Sequence, residues 1–155
     1  MNYNKKVIEY FTKKKYVGEI KNADGVGEVG NIICGDIMKV YIKVGKKNKE
    51  EYIENIKFKT FGCVAAIASS SALAEIAIGK KLTEAIKITN KDILNKLGNL
   101  PTIKIHCSIL GEQALTEAIY NYFVKNKKKI PKFLEKKHKL IMREKQAYKK
   151  KFSNR

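Results

Sequence analysis

The pattern of apolar residues changes period at Cys63, and that change constrains the fold more than any other feature. Upstream, residues 37–44 alternate: Met38, Val40, Ile42 and Val44 fall on one face, Lys39 and Lys43 on the other. A period of two marks a strand with one buried face. A polar turn at 45–48 and a second strand over 52–60 predict an antiparallel meander. Downstream, residues 64–78 are rich in Ala and Ser and end at Gly79, a helix stop. Small side chains let such a helix approach a sheet or a ligand closely. Strands first and helices later predict an α+β fold.

The flanking segments fill in this outline. Residues 4–15 read as a short amphipathic helix with Val7, Ile8, Tyr10 and Phe11 as its apolar stripe. Four glycines between 18 and 30, and the Asp24-Gly25 turn signal, argue against a helix there. Thr83 and Thr89 are candidate N-caps of two short helices, the second ending at Gly98. Leu100-Pro101-Thr102 reads as a loop. From Ser108 to about Lys125 a long amphipathic helix is marked by Ile109, Leu115, Ala118, Ile119, Tyr122 and Phe123. Pro131 interrupts it. Residues 132–148 then predict a separate basic helix with Phe133, Leu134, Leu140 and Ile141 as a weak stripe.

A chain of 155 residues suffices for one domain with a core. No apolar run approaches the roughly 20 residues that span a bilayer, and the first residues lead into no signal-peptide core. The expectation is a soluble cytoplasmic protein without membrane partners. Residues 125–155 hold 14 Lys/Arg against two Glu, which is +12 of the formal +18. The expected division is therefore a domain over 1–125 and a lysine-rich, partly helical tail over 126–155. Phe133 and Tyr148 offer rings for base stacking, but a solvated tail, or one that docks an acidic partner, explains the composition without nucleic acid.

Three cysteines lie far apart, and two have a second metal-capable group beside them. Cys34 begins Cys34-Gly35-Asp36, Cys63 ends Phe61-Gly62-Cys63, and Cys107 follows His106. Without a C-x-x-C pair they suggest neither a disulfide framework nor a thioredoxin-like motif. Each candidate falls at an element boundary, where binding groups collect. Taken singly, Cys63 would be a small core residue, His106 a capping histidine, Asp36 a turn residue and Lys104 a solvated loop lysine. Taken together, three thiolates, an imidazole and a carboxylate suit a [2Fe–2S] cluster or a tetrahedral Zn²⁺. A cluster with three thiolates needs His106 or Asp36 as a fourth ligand, a harder donor that holds iron less firmly. Lys104 would stabilise a thiolate if it points inward.

These residues resemble the IscU/NifU-type iron–sulfur cluster assembly scaffolds over residues 4 to about 125. The resemblance rests on Gly25-Val26-Gly27-Glu28-Val29-Gly30-Asn31, Cys34-Gly35-Asp36-Ile37-Met38-Lys39, Phe58-Lys59-Thr60-Phe61-Gly62-Cys63, Ala66-Ile67-Ala68-Ser69-Ser70-Ser71 and Lys104-Ile105-His106-Cys107-Ser108. It implies a three-stranded antiparallel sheet covered by helices. It implies Cys34, Cys63 and Cys107 as cluster ligands with Asp36 and His106 at the same site, Cys107 as persulfide acceptor, and Asp36 as the group tied to iron entry and cluster lability. The implied partners are a cysteine desulfurase of the IscS/NifS type, ferrous iron, an electron donor and apo recipient proteins. A [4Fe–4S] cluster would call for a homodimer. The implied role is a scaffold and not an enzyme.

The chain departs from the family pattern in three places. Val64-Ala65 stands where Gly-Ser usually follows the middle cysteine, and a β-branched residue resists positive φ. Leu100-Pro101-Thr102-Ile103-Lys104 lacks the second proline of the chaperone-binding motif, which counts against a dedicated Hsp70-type chaperone. The basic tail lies outside the shared region. The 43 residues between Cys63 and Cys107 leave little room for the insertion of zinc-containing SufU relatives. Two other readings compete: a zinc-bound sulfur acceptor that builds no cluster, and a nucleic-acid-binding module using the tail.

Overall fold

The computed structural model describes residues 2–31 and 35–153. Three strands, β1 (Gly25–Asn31), β2 (Asp36–Lys47) and β3 (Glu50–Phe61), form an antiparallel meander in the order β1-β2-β3. Around it run α1 (Lys5–Lys13), α2 (Val64–Ala77), α3 (Leu82–Ala85), α4 (Asn90–Leu97), α5 (Ile105–Lys125) and α6 (Lys132–Ser153). The predicted α+β architecture is present. No described helix is long and apolar enough to cross a membrane.

The alternation read in β2 holds: Met38, Val40 and Ile42 are buried, and Val44 packs against the core. The strand runs past the expected turn to Lys47, because Asn48 and Lys49 both adopt positive φ (53° and 66°) and make the reversal themselves. Two successive positive φ values match the twist of paired strands. β1 carries little side-chain mass. A Cβ at Gly25 would overlap the carbonyl oxygen of Ala118, and one at Gly27 that of Ala114. The glycines therefore let α5 lie directly on the β1 backbone.

α2 is the central helix. Ala65, Ala66, Ala68, Ser69, Ser70, Ser71, Ala72, Leu73, Ala74 and Ala77 are all buried, so it shows no polar face. α4 starts at Thr89, whose hydroxyl accepts from the Asp92 amide while the Asp92 carboxylate accepts from the Thr89 amide, and it ends at Gly98 with φ 72°. That reciprocal cap is the capping box. α3 is capped at Lys81, not Thr83. Leu82 and Ala85 are buried there, and anchoring them starts the helix one residue before the threonine. In α5, Ile109 is 38% exposed, against expectation. Leu110, Gly111, Ala114, Leu115, Ala118 and Ile119 make the buried face instead.

α6 packs on α5. Leu134 and Ile141, seven residues apart, are buried, whereas Phe133 and Leu140 of the predicted stripe are 48% and 51% exposed. Polar contacts explain the rotation. Lys137 Nζ lies 3.1 Å from the Glu112 carboxylate, and His138 Nδ1 lies 2.7 Å from Glu117 Oε2. The His138 ring stacks on Tyr120 at 3.6 Å. Polar pairs thus fill the positions between the two apolar anchors.

Candidate functional site

Three element ends meet at one edge of the sheet. Asp36 opens β2, Cys63 caps α2 in an extended conformation, and Cys107 lies in the first turn of α5. Ile37 pairs with Phe61 across the sheet, and the Thr60 hydroxyl donates to the Ile37 carbonyl at 2.7 Å. That register brings Asp36 next to the Cys63 loop. Gly62 permits the approach: a Cβ there would lie 2.8 Å from Ala66 Cβ and 3.5 Å from the Asp36 carboxyl carbon. Val64 is already helical and shows no positive φ, so the residue after Cys63 makes no demand for glycine here.

The donor atoms of Asp36, Cys63 and Cys107 all lie within 4.8 Å of one another. Cys63 Sγ and Cys107 Sγ are 3.4 Å apart, and both thiols are free. Cys107 Sγ lies 3.9 Å from Asp36 Oδ2 and 3.5 Å from His106 Nε2. His106 thus joins through Cys107. Cys34 lies outside the described residues. Lys104 ends the 3₁₀ turn Thr102–Lys104, which forms where a loop was expected before α5.

Cys107 is fully buried, while Cys63 and Asp36 are half-buried. Burial pushes the Cys107 thiol up to about 12, and the Cys63 thiol and Asp36 carboxylate push the same way. Lys104 opposes them, the direction expected of a cation near a thiolate. A site that holds its thiol neutral when empty favours the thiolate once a cation supplies the missing charge.

Tyr3 belongs to this neighbourhood and was not expected from sequence. Burial raises its phenol, as do Cys63 and Cys107, while Lys104 lowers it. It precedes α1 in an unpatterned stretch, so no periodic signal marks it.

The family model described as the NifU-like N terminal domain matches residues 2–129. The chain belongs to this family. Among NifU-like relatives, it is 52% identical over 126 residues to "Iron-sulfur cluster assembly scaffold protein IscU 1" of Archaeoglobus fulgidus, covering 81% of this chain and 80% of the relative. It is 47% identical over 123 residues to the IscU scaffold protein of Aquifex aeolicus, covering 79% and 77%. Against the nitrogen fixation protein NifU of Trichormus azollae it is 48% identical, over 78% of this chain but 42% of that longer protein. A crystal structure of a candidate iron–sulfur cluster assembly scaffold protein for the SUF system of Fervidobacterium islandicum AW-1 superposes with TM-score 0.62. It is 25% identical and covers 76% of this chain and 96% of that one. That solved chain and this one share the α+β fold.

Proposed function

We propose that this chain is a scaffold on which an iron–sulfur cluster is assembled and from which it is handed to apo-proteins. The observation that carries the reading is the convergence of the Asp36, Cys63 and Cys107 donor atoms within 4.8 Å at the ends of three separate elements. Relatives that span most of the chain and are named as scaffold proteins support it. The cluster is cargo, with Cys34, Cys63 and Cys107 as thiolate ligands and His106 or Asp36 as the fourth. Two iron ions and two sulfides fit that ligand count.

Sulfur enters by exchange. Once ferrous iron draws the Cys107 proton off to solvent, the thiolate attacks the terminal sulfur of a persulfide on a cysteine desulfurase, forming Cys107–S–S⁻ and releasing the desulfurase thiolate. Two electrons from an external donor then reduce the persulfide to sulfide and regenerate the thiolate. Lys104 offsets the charge at that atom. Ile37, Phe61 and Ile103 are 42%, 81% and 66% exposed beside the site, an apolar rim suited to protein partners. The scaffold unit is taken as residues 1–125, with 126–155 an appended basic segment.

Anaerobic reconstitution with a cysteine desulfurase, cysteine and ferrous iron tests the reading. Iron and acid-labile sulfide should appear in near-equal amounts. Cys34→Ala, Cys63→Ala and Cys107→Ala should each abolish stable loading with the fold retained, and Asp36→Ala should lengthen cluster lifetime. Zinc without sulfide under these conditions would favour a zinc-bound sulfur acceptor instead.

A further inference from the structure

The groups around Cys107 differ in what they can give. Its Sγ lies 3.5 Å from His106 Nε2 and 3.9 Å from Asp36 Oδ2, and the Lys104 charge acts on it. An imidazole, a carboxylate and an ammonium carry protons or charge, but none gives up two electrons together with another sulfur. Cys63 does. Its Sγ stands 3.4 Å from that of Cys107, and both thiols are free. Reacting atoms poised for attack lie about 3–3.5 Å apart.

The atom that Cys63 faces decides the chemistry. Attack on the outer sulfur of a persulfide only passes that sulfur on. Attack on the inner sulfur joins the two cysteines and expels the outer one as sulfide. Once Cys107 carries a persulfide, its Sγ is the inner sulfur, and that is the atom 3.4 Å from Cys63 Sγ. Closing to a disulfide bond of about 2.05 Å needs a further approach of about 1.4 Å. Cys63 is free to make it with its side chain, because it precedes α2 as an extended N-cap residue and its thiol caps no amide.

We propose that Cys63 is the resolving thiol of sulfur delivery, reducing the Cys107 persulfide from within the chain. This rests on sulfur entering at Cys107, as set out above. In the step, Cys107–S–S⁻ and the Cys63 thiol give the Cys63–Cys107 disulfide and HS⁻. The bond between the two persulfide sulfurs breaks, and the bond between Cys63 Sγ and Cys107 Sγ forms. The Cys63 proton leaves on the sulfide. The outer sulfur gains two electrons, and the cysteine pair loses them.

The two electrons of the external donor enter one step later, at the disulfide, and restore both thiols with two protons from solvent. That donor meets the half-buried Cys63 and need not reach Cys107, which is fully buried. Sulfide is therefore set free beside the Asp36 carboxylate before any reductant docks.

A single turnover without an electron donor tests this. The full chain with ferrous iron is mixed anaerobically with a persulfide-loaded cysteine desulfurase that has been freed of cysteine. Peptide mass spectrometry reads the state of each cysteine, and acid-labile sulfide is measured on the same sample. The expected result is about one sulfide and one Cys63–Cys107 disulfide per sulfur transferred. In Cys63→Ser the persulfide should stay on Cys107, and sulfide release should fall at least about tenfold. Serine at an N-cap suits the start of α2, so the fold is kept. A persulfide that persists equally in both chains would overturn the proposal and leave sulfur entry at Cys107 standing. So would sulfide released without a disulfide, its electrons then coming from iron, or a disulfide that joins Cys34 instead. No sulfur on Cys107 in the unsubstituted chain would overturn the sulfur-entry reading, and this inference with it.

Discussion

Replacing Leu134 with alanine separates a docked C-terminal helix from a solvated one. Leu134 is completely buried, and Ile141 is 5% exposed on the same face of α6. Burying two such side chains contributes about 3–6 kcal/mol to docking. Leu→Ala at a closed site costs about 2–5 kcal/mol. The lower part of that range applies, because a peripheral helix relaxes into the space left. A loss of about 2–3 kcal/mol corresponds to roughly 30- to 150-fold more frequent opening. Hydrogen exchange read by peptide mass spectrometry resolves this element by element. Peptides from 132–147 should exchange faster by that factor, while β2 and β3 keep their protection. Phe133→Ala removes a larger side chain that is 48% exposed and should change exchange less than about fivefold. Unchanged α6 exchange in Leu134→Ala, or equal effects from the two variants, would refute the packing argument.

Gly27→Ala pushes a methyl group into the Ala114 carbonyl and should cost at least about 1–3 kcal/mol. In a chain of this size that lowers Tm by roughly 3–10 °C. Gly30→Ala, whose Cβ would meet nothing closer than 3.6 Å, is the control, and equal melting of the two variants would contradict the close approach of α5. Thr89→Ala breaks the capping box and should remove about 0.5–2 kcal/mol, read by denaturant midpoint. In the metal-free chain, the folded Cys107 thiol titrates at about 12 against an ordinary 9.0. Between those values the unfolded chain has lost a proton that the folded chain keeps. Cys107 therefore makes stability fall as pH rises from about 9 towards 12. Cys107→Ser should flatten that slope, and identical slopes would sink the assignment.

Some elements could be read from their own residues because local chemistry decides them. Met38, Val40 and Ile42 alternate because β2 has one buried face. Thr89, Asp92 and Gly98 mark both ends of α4 locally, and the Asn4 amide then donates to the Leu97, Gly98 and Asn99 carbonyls at its C-terminal end. β1 could not be read in this way. Its glycines lower strand propensity, and it is held by a helix arriving 80 residues later. Thr83 loses the cap of α3 to Lys81 because the burial of Leu82 outweighs a hydroxyl cap. α6 offered two apolar pairs seven residues apart, Phe133 with Leu140 and Leu134 with Ile141. Only partners on α5, Glu112 and Glu117, decide which pair turns inward. At the site, the residue types and boundary positions of Asp36, Cys63, His106 and Cys107 were visible in the chain. Their separations were not, because strand register and the missing Gly62 side chain set them.

The glycine track of β1 sets the height of α5 above the sheet by main chain against main chain. Peptide dimensions do not drift as side chains are exchanged. A helix seated on side chains would rise or sink with every substitution beneath it, carrying Cys107 away from Cys63. One seated on bare backbone keeps its datum. The core can therefore be rewritten around this helix while the gap between the two sulfur atoms stays fixed.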